Sequence, residues 1–443
     1  MVISQLGHTL VHAADTIIVG HFAGTAQLAA VSLVNSIFMV VLVIGIGVSY
    51  GLTPLIAQEN GRGHFAECGR LLSSSLLINV VTGILLFLVL YFGSMLVIDH
   101  LGQSPEVVRH AKPYLLLLGI SIIPLMVFNT FKQFAEGLSF TRQAMNISIW
   151  GNVLNICLGI VLVKGMFGIE PMGVRGVGWS TLVDRCVMAV AMSIYVFRAE
   201  RFKRYLRLFS FFLLDKARAL RIFKIGLPVA LQSLFEISAF SAAAILIGTI
   251  GALQQAAHQV AINMAAMTYM MASGIAAAAA IKTGNTFGSR QFTALRRYAV
   301  SSYHIVIVFM TATALLFILC NRWLPWIYTS DTAVIAIAAQ LLVFAGLFQL
   351  FDGGQVVGLG ILRGMGDVNI PTLITFLAYW VVGLPLGYVL GIPLGMGANG
   401  IWIGLTFGLL VSAVFLYVRF NRQSKKLLHQ PAAAPPVEAK MLS

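Results

Sequence analysis

The sequence predicts an all-α membrane protein whose twelve transmembrane helices form two six-helix bundles, related by a pseudo-twofold axis along the membrane normal. Three observations carry that reading: a charged fraction of only 10% beside 59% apolar residues, twelve apolar runs long enough to span a bilayer, and one internal repeat that divides them six and six. A soluble globular chain is about a quarter charged and roughly half apolar. The mean hydropathy of +0.90 therefore means that most of the chain faces lipid or other apolar helices. No stretch of ordinary composition reaches the size of a soluble domain.

A spanning helix needs about 20 mostly apolar residues. Such runs lie near 2–22, 28–56, 70–97, 113–135, 143–165, 174–197, 223–249, 255–281, 296–320, 333–361, 369–392 and 398–419. They carry Pro124, Pro228 and Pro385, which spanning helices tolerate because neighbouring groups re-satisfy the freed backbone. The spacings Gly354/Gly358, Gly387/Gly391 and Gly400/Gly404 fit close helix packing.

Orientation follows from the loops. With the N-terminus inside, the inner loops and C-terminal tail hold 23 of the 29 Lys and Arg residues. The outer loops hold five (Arg109, Lys112, Lys164, Arg175, Arg322), and Arg185 lies within a run. The positive-inside rule then places both termini in the cytoplasm. The inner loop 198–224 carries nine of these residues and separates an N-terminal bundle, 1–197, from a C-terminal bundle, 225–419. A basic, then Ala/Pro-rich cytoplasmic tail, 420–443, is expected to be disordered. The net charge of +14 would suggest a nucleic-acid partner in a soluble chain; here topology accounts for it, and no such partner is expected.

The two halves align at a constant shift of 227 residues, which carries Ala29 and Ala30 onto Ala256 and Ala257, Gly47 onto Gly274, Gly61 onto Gly288, Phe65 onto Phe292, Arg70 onto Arg297 and Gly137 onto Gly364. An even number of spans separates the copies, so both share one orientation. Two such bundles can rock around a central cavity, the architecture of an alternating-access carrier. The second copy opens Lys224-Ile225-Gly226-Leu227-Pro228; its counterpart would precede Met1, so a short segment leading into the first span is expected to be missing. No cleavable signal peptide is read at the start.

Few ionisable residues fall inside the runs: Asp15, Asp184, Arg185, Glu236 and Asp352. An acid at the bilayer centre costs at least roughly 2.5–3.5 kcal/mol, so each needs a partner, a bound cation, a proton or a water-filled cavity. Glu236 and Asp352 lie near the middle of the seventh and tenth runs. Facing one pocket, they could hold Na⁺ or carry a proton; the alternative is satisfaction by hydroxyls and amides within the bundle. Asp15 stands alone in the first copy, where its repeat counterpart is alanine, and either faces the cavity or pins a helix end. Asp184 and Arg185 point about 100° apart on one helix. Either one faces the bundle and the other the lipid boundary, or both are buried in pairs with other helices. His258 reads as a satisfied polar residue, with a proton relay as the alternative.

Several chemistries are excluded. The four cysteines are scattered, indicating neither a zinc site nor a disulfide framework. There is no P-loop, so ATP is not expected to be a partner. The absence of H-E-x-x-H and G-x-S-x-G speaks against a hydrolase, and the chain is expected not to be an enzyme.

A set of segments then carries a resemblance. They are Asp15-Thr-Ile-Ile-Val-Gly20-His21, Leu28-Ala-Ala-Val-Ser32, Glu136-Gly137-Leu138, Asn152-x-x-Asn155-Ile156 and Gly173-Val-x-Gly176-Val177 in the first half. In the second they are Gly226-Leu-Pro228, Glu236, Ala257-His258-Gln259-Val260-Ala261-x-Asn263, Asp352-x-x-Gln355-Val-Val and Leu362-Arg363-Gly364. In this order and spacing the chain resembles the multidrug and toxic compound extrusion (MATE) family, in particular its NorM-like branch, from about residue 10 to 420.

The resemblance implies two six-helix bundles in a bacterial inner membrane, exporting organic cations against inward H⁺ or Na⁺, as a monomer and with no cofactor beyond the coupling ion. It places cation coupling on Glu236, Asp352 and Asp15. Asp184, Asn152, Asn155, Gln259 and Asn263 stand as secondary polar contacts to cation or substrate. Two departures remove oxygen ligands expected of NorM-like members: Phe348 stands where a tyrosine often precedes the tenth-run acid, and Gly159 where a second asparagine is often found, with Cys157 in place of a proline. Both weigh against sodium and leave a proton mechanism at least equal to it. The alternative within transport is a lipid-linked oligosaccharide flippase, which needs several basic residues facing the cavity.

Overall fold

A computed structural model describes residues 18–19, 25–98, 104–166, 168, 170–211 and 215–429. Among them eleven helical stretches are long and apolar enough to cross a membrane. They match eleven of the twelve predicted runs; the first run, with Asp15, lies outside the described residues except for Ile18 and Val19. The first half contains α1 (Thr25–Ser49), α2 (Leu52–Gly61), α3 (Phe65–Val97), α4 (Pro105–Gly137), α5 (Thr141–Lys164), α6 (Val174–Arg198) and the short α7 (Glu200–Leu206). The second contains α8 (Lys216–Ile250), α9 (Ala252–Gly288), α10 (Phe292–Leu319), α11 (Thr332–Gly364), α12 (Asn369–Phe376), a π-helical segment Leu377–Gly383, α13 (Leu384–Gly391) and α14 (Gly397–Leu428).

The chain divides into two compact units, one ending at Ala230 and the other beginning at Leu231 and taking in Gly61–Gly63. In the first unit α4 packs along α6, α3 and α1, while α5 lies against α6. In the second, α9 and α11 pack most extensively, and α14 closes on α11, α13 and the π segment. The crossing of α13 and α14 depends on glycine. A Cβ on Gly404 would lie 2.2 Å from the Gly387 nitrogen, and one on Gly400 2.6 Å from the Gly391 nitrogen. The spacings read from the sequence are therefore real contacts there. Gly354 differs: its nearest neighbour, Ala413 Cβ, would be 3.7 Å away, an ordinary contact.

The linker and tail end elsewhere than the composition suggests. The basic loop 198–224 contains α7 and the first turns of α8. Asp215 sets that start, accepting hydrogen bonds from the backbone nitrogens of Ala217 (2.8 Å) and Arg218 (3.3 Å), the N-cap geometry that satisfies free helix-end donors. These same donors hold the Asp215 carboxyl below its ordinary value. The new turns then dock within the first unit: Arg218 grips Glu67 (2.6 and 3.0 Å) and Arg221 reaches the buried Glu59 (2.7 Å). At the C-terminus α14 runs to Leu428, past the boundary at 419. Arg296 of α10 holds that extension, donating to Asn421 and Ser424 at 2.7 Å each. Residues 430–443 lie outside the described residues.

The repeat persists in the backbone. Left-handed residues pair at the shift of 227: Gly63 with Arg290 (φ 79° and 55°), Ser139 with Gly366 (69° and 81°), Gly168 with Gly395 (84° and 70°). Gly137 abuts Ile56 and the Thr53 carbonyl, and Gly364 abuts Thr283 and the Ala280 carbonyl, the same positions one repeat on. The last helix of each half is tied in one way. The Gln27 side-chain oxygen accepts from the Val174 nitrogen at 2.8 Å, and the Gln254 oxygen from the Ala398 nitrogen at 2.7 Å. In the final helix the shift becomes 224, because the connection before it is shorter in the second copy.

Candidate functional site

The two central acids both lie in the second unit. Glu236 stands mid-way along α8 and Asp352 deep in α11, 3% exposed. They act on each other electrostatically, and both act on the Tyr379 hydroxyl. Tyr379, fully buried, belongs to the π segment, an irregularity that often marks functional positions. Its hydroxyl accepts from Gln355 Nε2 at 3.0 Å and donates toward Glu236 Oε1 at 3.4 Å. Tyr269 of α9 hydrogen-bonds the same carboxylate, and the Arg363 guanidinium acts on it as well. Phe348 forms an aromatic wall, 5.3 Å from the Trp402 ring and 5.9 Å from Phe240.

Phe348 itself brings no oxygen to this site. Hydroxyls from two other helices, Tyr269 and Tyr379, reach Glu236 instead. Amide oxygens are available too. Gln349, one turn before Asp352, is fully buried with both amide atoms lacking a hydrogen-bond partner among the described residues, and so is the Gln355 oxygen. An unpaired buried polar atom costs about 1–3 kcal/mol. Two neighbouring carboxylates repel each other, and a cation or proton between them relieves the repulsion. The residues present therefore suit a small cation bound by oxygen. The spacing Gln349, Asp352, Gln355 was a usable signal, one polar residue per turn in an otherwise apolar run. Tyr269 and Tyr379 carried none, since tyrosines in apolar runs read as packing.

Other candidates fall elsewhere. Gln259 and Asn263 hydrogen-bond each other at 3.0 Å on an exposed stretch of α9, with no hydrogen bond to either carboxylate among the described residues. His258 is 2% exposed and accepts from the Trp402 indole at 3.1 Å, a satisfied core histidine. In the first unit Asn155 donates to Thr181 at 3.2 Å, joining α5 to α6. Asn152 is buried one turn earlier, and Asp184 lies against Gly151, whose added Cβ would come within 2.6 Å of its Oδ1. That Oδ1 and the Asn155 oxygen have no hydrogen-bond partner among the described residues. Of the two placements open to Asp184 and Arg185 from the sequence, burial of both is the one observed. Both are buried, at 4% and 8%, because α6 is packed by α4 as well as α5. Arg185 donates to Ser121 at 2.7 Å and covers the Phe38 ring at 5.2 Å.

The MatE family model matches residues 1–161 and 228–389, both repeats and both acids of the second unit. The chain belongs to the MATE family. Among curated MATE relatives, the multidrug resistance protein NorM of Photobacterium profundum is 33% identical over 95% of this chain and 93% of its own length. The multidrug resistance protein MdtK of Pectobacterium atrosepticum is 32% identical over 98% and 94%. The fold agrees with solved MATE structures. The eukaryotic transporter AtDTX14 superposes with a TM-score of 0.85 at 19% identity, covering 96% of this chain and 95% of that one. An outward-facing multidrug resistance MATE transporter gives 0.86 at 21%, covering 97% and 95%. As a MATE protein this chain is a multi-span membrane transporter.

Proposed function

We propose that this chain exports small organic cations across a bacterial inner membrane in exchange for an inward-moving H⁺ or Na⁺, with both termini cytoplasmic and one chain as the working unit. The observation that carries the reading is the placement of half-buried Glu236 and buried Asp352 within electrostatic reach of each other, with Tyr379 bridging Glu236 to Gln355. The similarity to bacterial multidrug resistance proteins supports the substrate class. A cation at the carboxylates relieves their repulsion and favours the state that releases substrate outside. Substrate binding from the cytoplasm or inner leaflet then favours release of the cation inside. A net charge crossing 100 mV supplies about 2.3 kcal/mol, a gradient of roughly fiftyfold. One-for-one exchange with a monovalent organic cation moves no net charge and draws on the ion gradient alone. The flippase alternative loses ground because Arg185, the one basic residue mid-span, is engaged by Ser121 and Phe38.

Proteoliposomes containing the purified chain and preloaded with ethidium test this. An imposed proton or sodium gradient should accelerate ethidium movement, and the gradient that does so identifies the ion. Movement unaffected by both gradients would remove antiport.

A further inference from the structure

The first unit holds a cavity of about 310 Å³ that cation exchange does not use. One side is the turn between α4 and α5 with the first residues of α5, including Ser139, Phe140 and Arg142; the other is Tyr195 near the end of α6 and Arg201 of α7. It lies where three spans end, at Gly137, Thr141 and Arg198, the depth of lipid headgroups. Arg201 is placed by two rings, 5.4 Å above Phe140 and 5.8 Å from Tyr195. Among the described residues neither Arg142 nor Arg201 has a carboxylate within ion-pair distance, and the buried Tyr195 hydroxyl has no hydrogen-bond partner. The α5 N-terminus opens into the same space with no side-chain cap, leaving backbone N–H groups that favour an anion.

The repeat supplies an internal control. Phe140 corresponds to Asp367 at the shift of 227, and Tyr195 to Arg419 at the shift of 224. In the second unit those two residues form an ion pair, Arg419 donating to Asp367 at 2.5 and 2.8 Å, with Gln423 adding 2.7 Å. There the arginine and the carboxylate satisfy each other's charge. In the first unit the pair is replaced by two aromatic rings, a cavity and two arginines without an acid. Next to it, the outer faces of α5 and α6 present exposed apolar side chains, among them Trp150 (71%), Val190 (58%) and Ile194 (47%), as lipid-facing surface does.

We propose that this cavity binds the phosphate group of an anionic phospholipid, held by Arg142 and Arg201 at the membrane boundary with its acyl chains along α5 and α6. Basic pockets between spanning helices on the cytoplasmic side are suited to such headgroups, and the loops here carry the basic excess. A free phosphate shares the headgroup chemistry but would make no use of the apolar faces.

Native mass spectrometry of the detergent-solubilised chain, titrated with phosphatidylglycerol, phosphatidylcholine or inorganic phosphate, tests the site. The wild type should retain one phosphatidylglycerol through stripping that removes phosphatidylcholine. Arg142→Gln with Arg201→Gln should bind it about thirtyfold more weakly, the size expected of two interfacial arginines. Lys425→Gln with Lys426→Gln removes the same charge elsewhere on the chain and should leave binding unchanged. Should the arginine variant not fold, Gln143→Glu, a near-isosteric change that puts a negative charge at the cavity, should weaken binding as well. Equal losses in the arginine and lysine variants would mean general charge attraction and overturn the site. Unchanged binding in Gln143→Glu, or displacement of the lipid by inorganic phosphate at equal concentration, would overturn it too.

Discussion

Replacing Tyr379 by phenylalanine removes a single oxygen from the pocket around Glu236. That oxygen has two bonds, 3.0 Å from Gln355 Nε2 and 3.4 Å to Glu236 Oε1. A hydrogen bond to a charged acceptor contributes roughly 1.5–3 kcal/mol, and 3.4 Å is long for one, so the lower end applies. Loss of about 1.5 kcal/mol corresponds to roughly tenfold weaker apparent affinity for the driving cation. The change also strands the Gln355 amide, whose residue is 1% exposed, at a cost of about 1–3 kcal/mol in stability. The two effects separate in a double variant. Tyr379→Phe with Gln355→Leu removes the stranded donor, so it should recover thermal stability without recovering ion affinity. The assay is the initial rate of ethidium movement in proteoliposomes at graded concentrations of the driving ion, beside thermal unfolding in detergent. Ion dependence within twofold of wild type in Tyr379→Phe would refute a role for the hydroxyl in holding Glu236, the carboxylate proposed to bind the cation. So would recovery of ion affinity in the double variant.

Other consequences follow from packing. Gln27→Ala and Gln254→Ala should each lower stability by about 1 kcal/mol, as loss of a helix cap does, with nearly additive effects because they lie in separate units; thermal unfolding showing one of the two to be neutral would break the structural equivalence of the repeats. Gly404→Ala should cost about 1–3 kcal/mol by overpacking, since its Cβ would sit 2.2 Å from the Gly387 nitrogen, whereas Gly354→Ala should be near neutral; the same unfolding measurement checks both. Arg185→Gln should lower stability by about 1–3 kcal/mol through the loss of a charged hydrogen bond and a ring contact and leave the range of exported cations unchanged. A shift in that range at wild-type stability would favour a substrate-binding arginine.

The spans and the repeat were legible because they rest on local quantities. Apolar runs, loop charge and identities such as Gly137 and Gly364 need no knowledge of what touches what. The paired acids were legible for the same reason, an ionised group in lipid being costly wherever it points. What escaped is long-range. Gln27 and Gln254 cap helices 147 and 144 residues away, and neither looks unusual in its own run. Tyr379 reaches Glu236 from a π segment that hydrophobic periodicity does not distinguish from an α-helix. Asp184 and Arg185 stayed undecided between a bundle–lipid split and joint burial, because helix geometry alone is silent on how many neighbours a helix has. The second hydroxyl at Glu236, from Tyr269 of α9, is equally inconspicuous in its own run.

The most direct test of the exchange site is Glu236→Gln, which keeps the shape and much of the hydrogen bonding of that side chain and removes its ionisation. Wild type and variant would be reconstituted at equal density and given the gradient found to drive the wild type, with ethidium binding measured separately by fluorescence. The account predicts that Glu236→Gln unfolds within a few degrees of wild type, still binds ethidium, and no longer moves it against its gradient. Gradient-driven movement at the wild-type rate in that variant would contradict it.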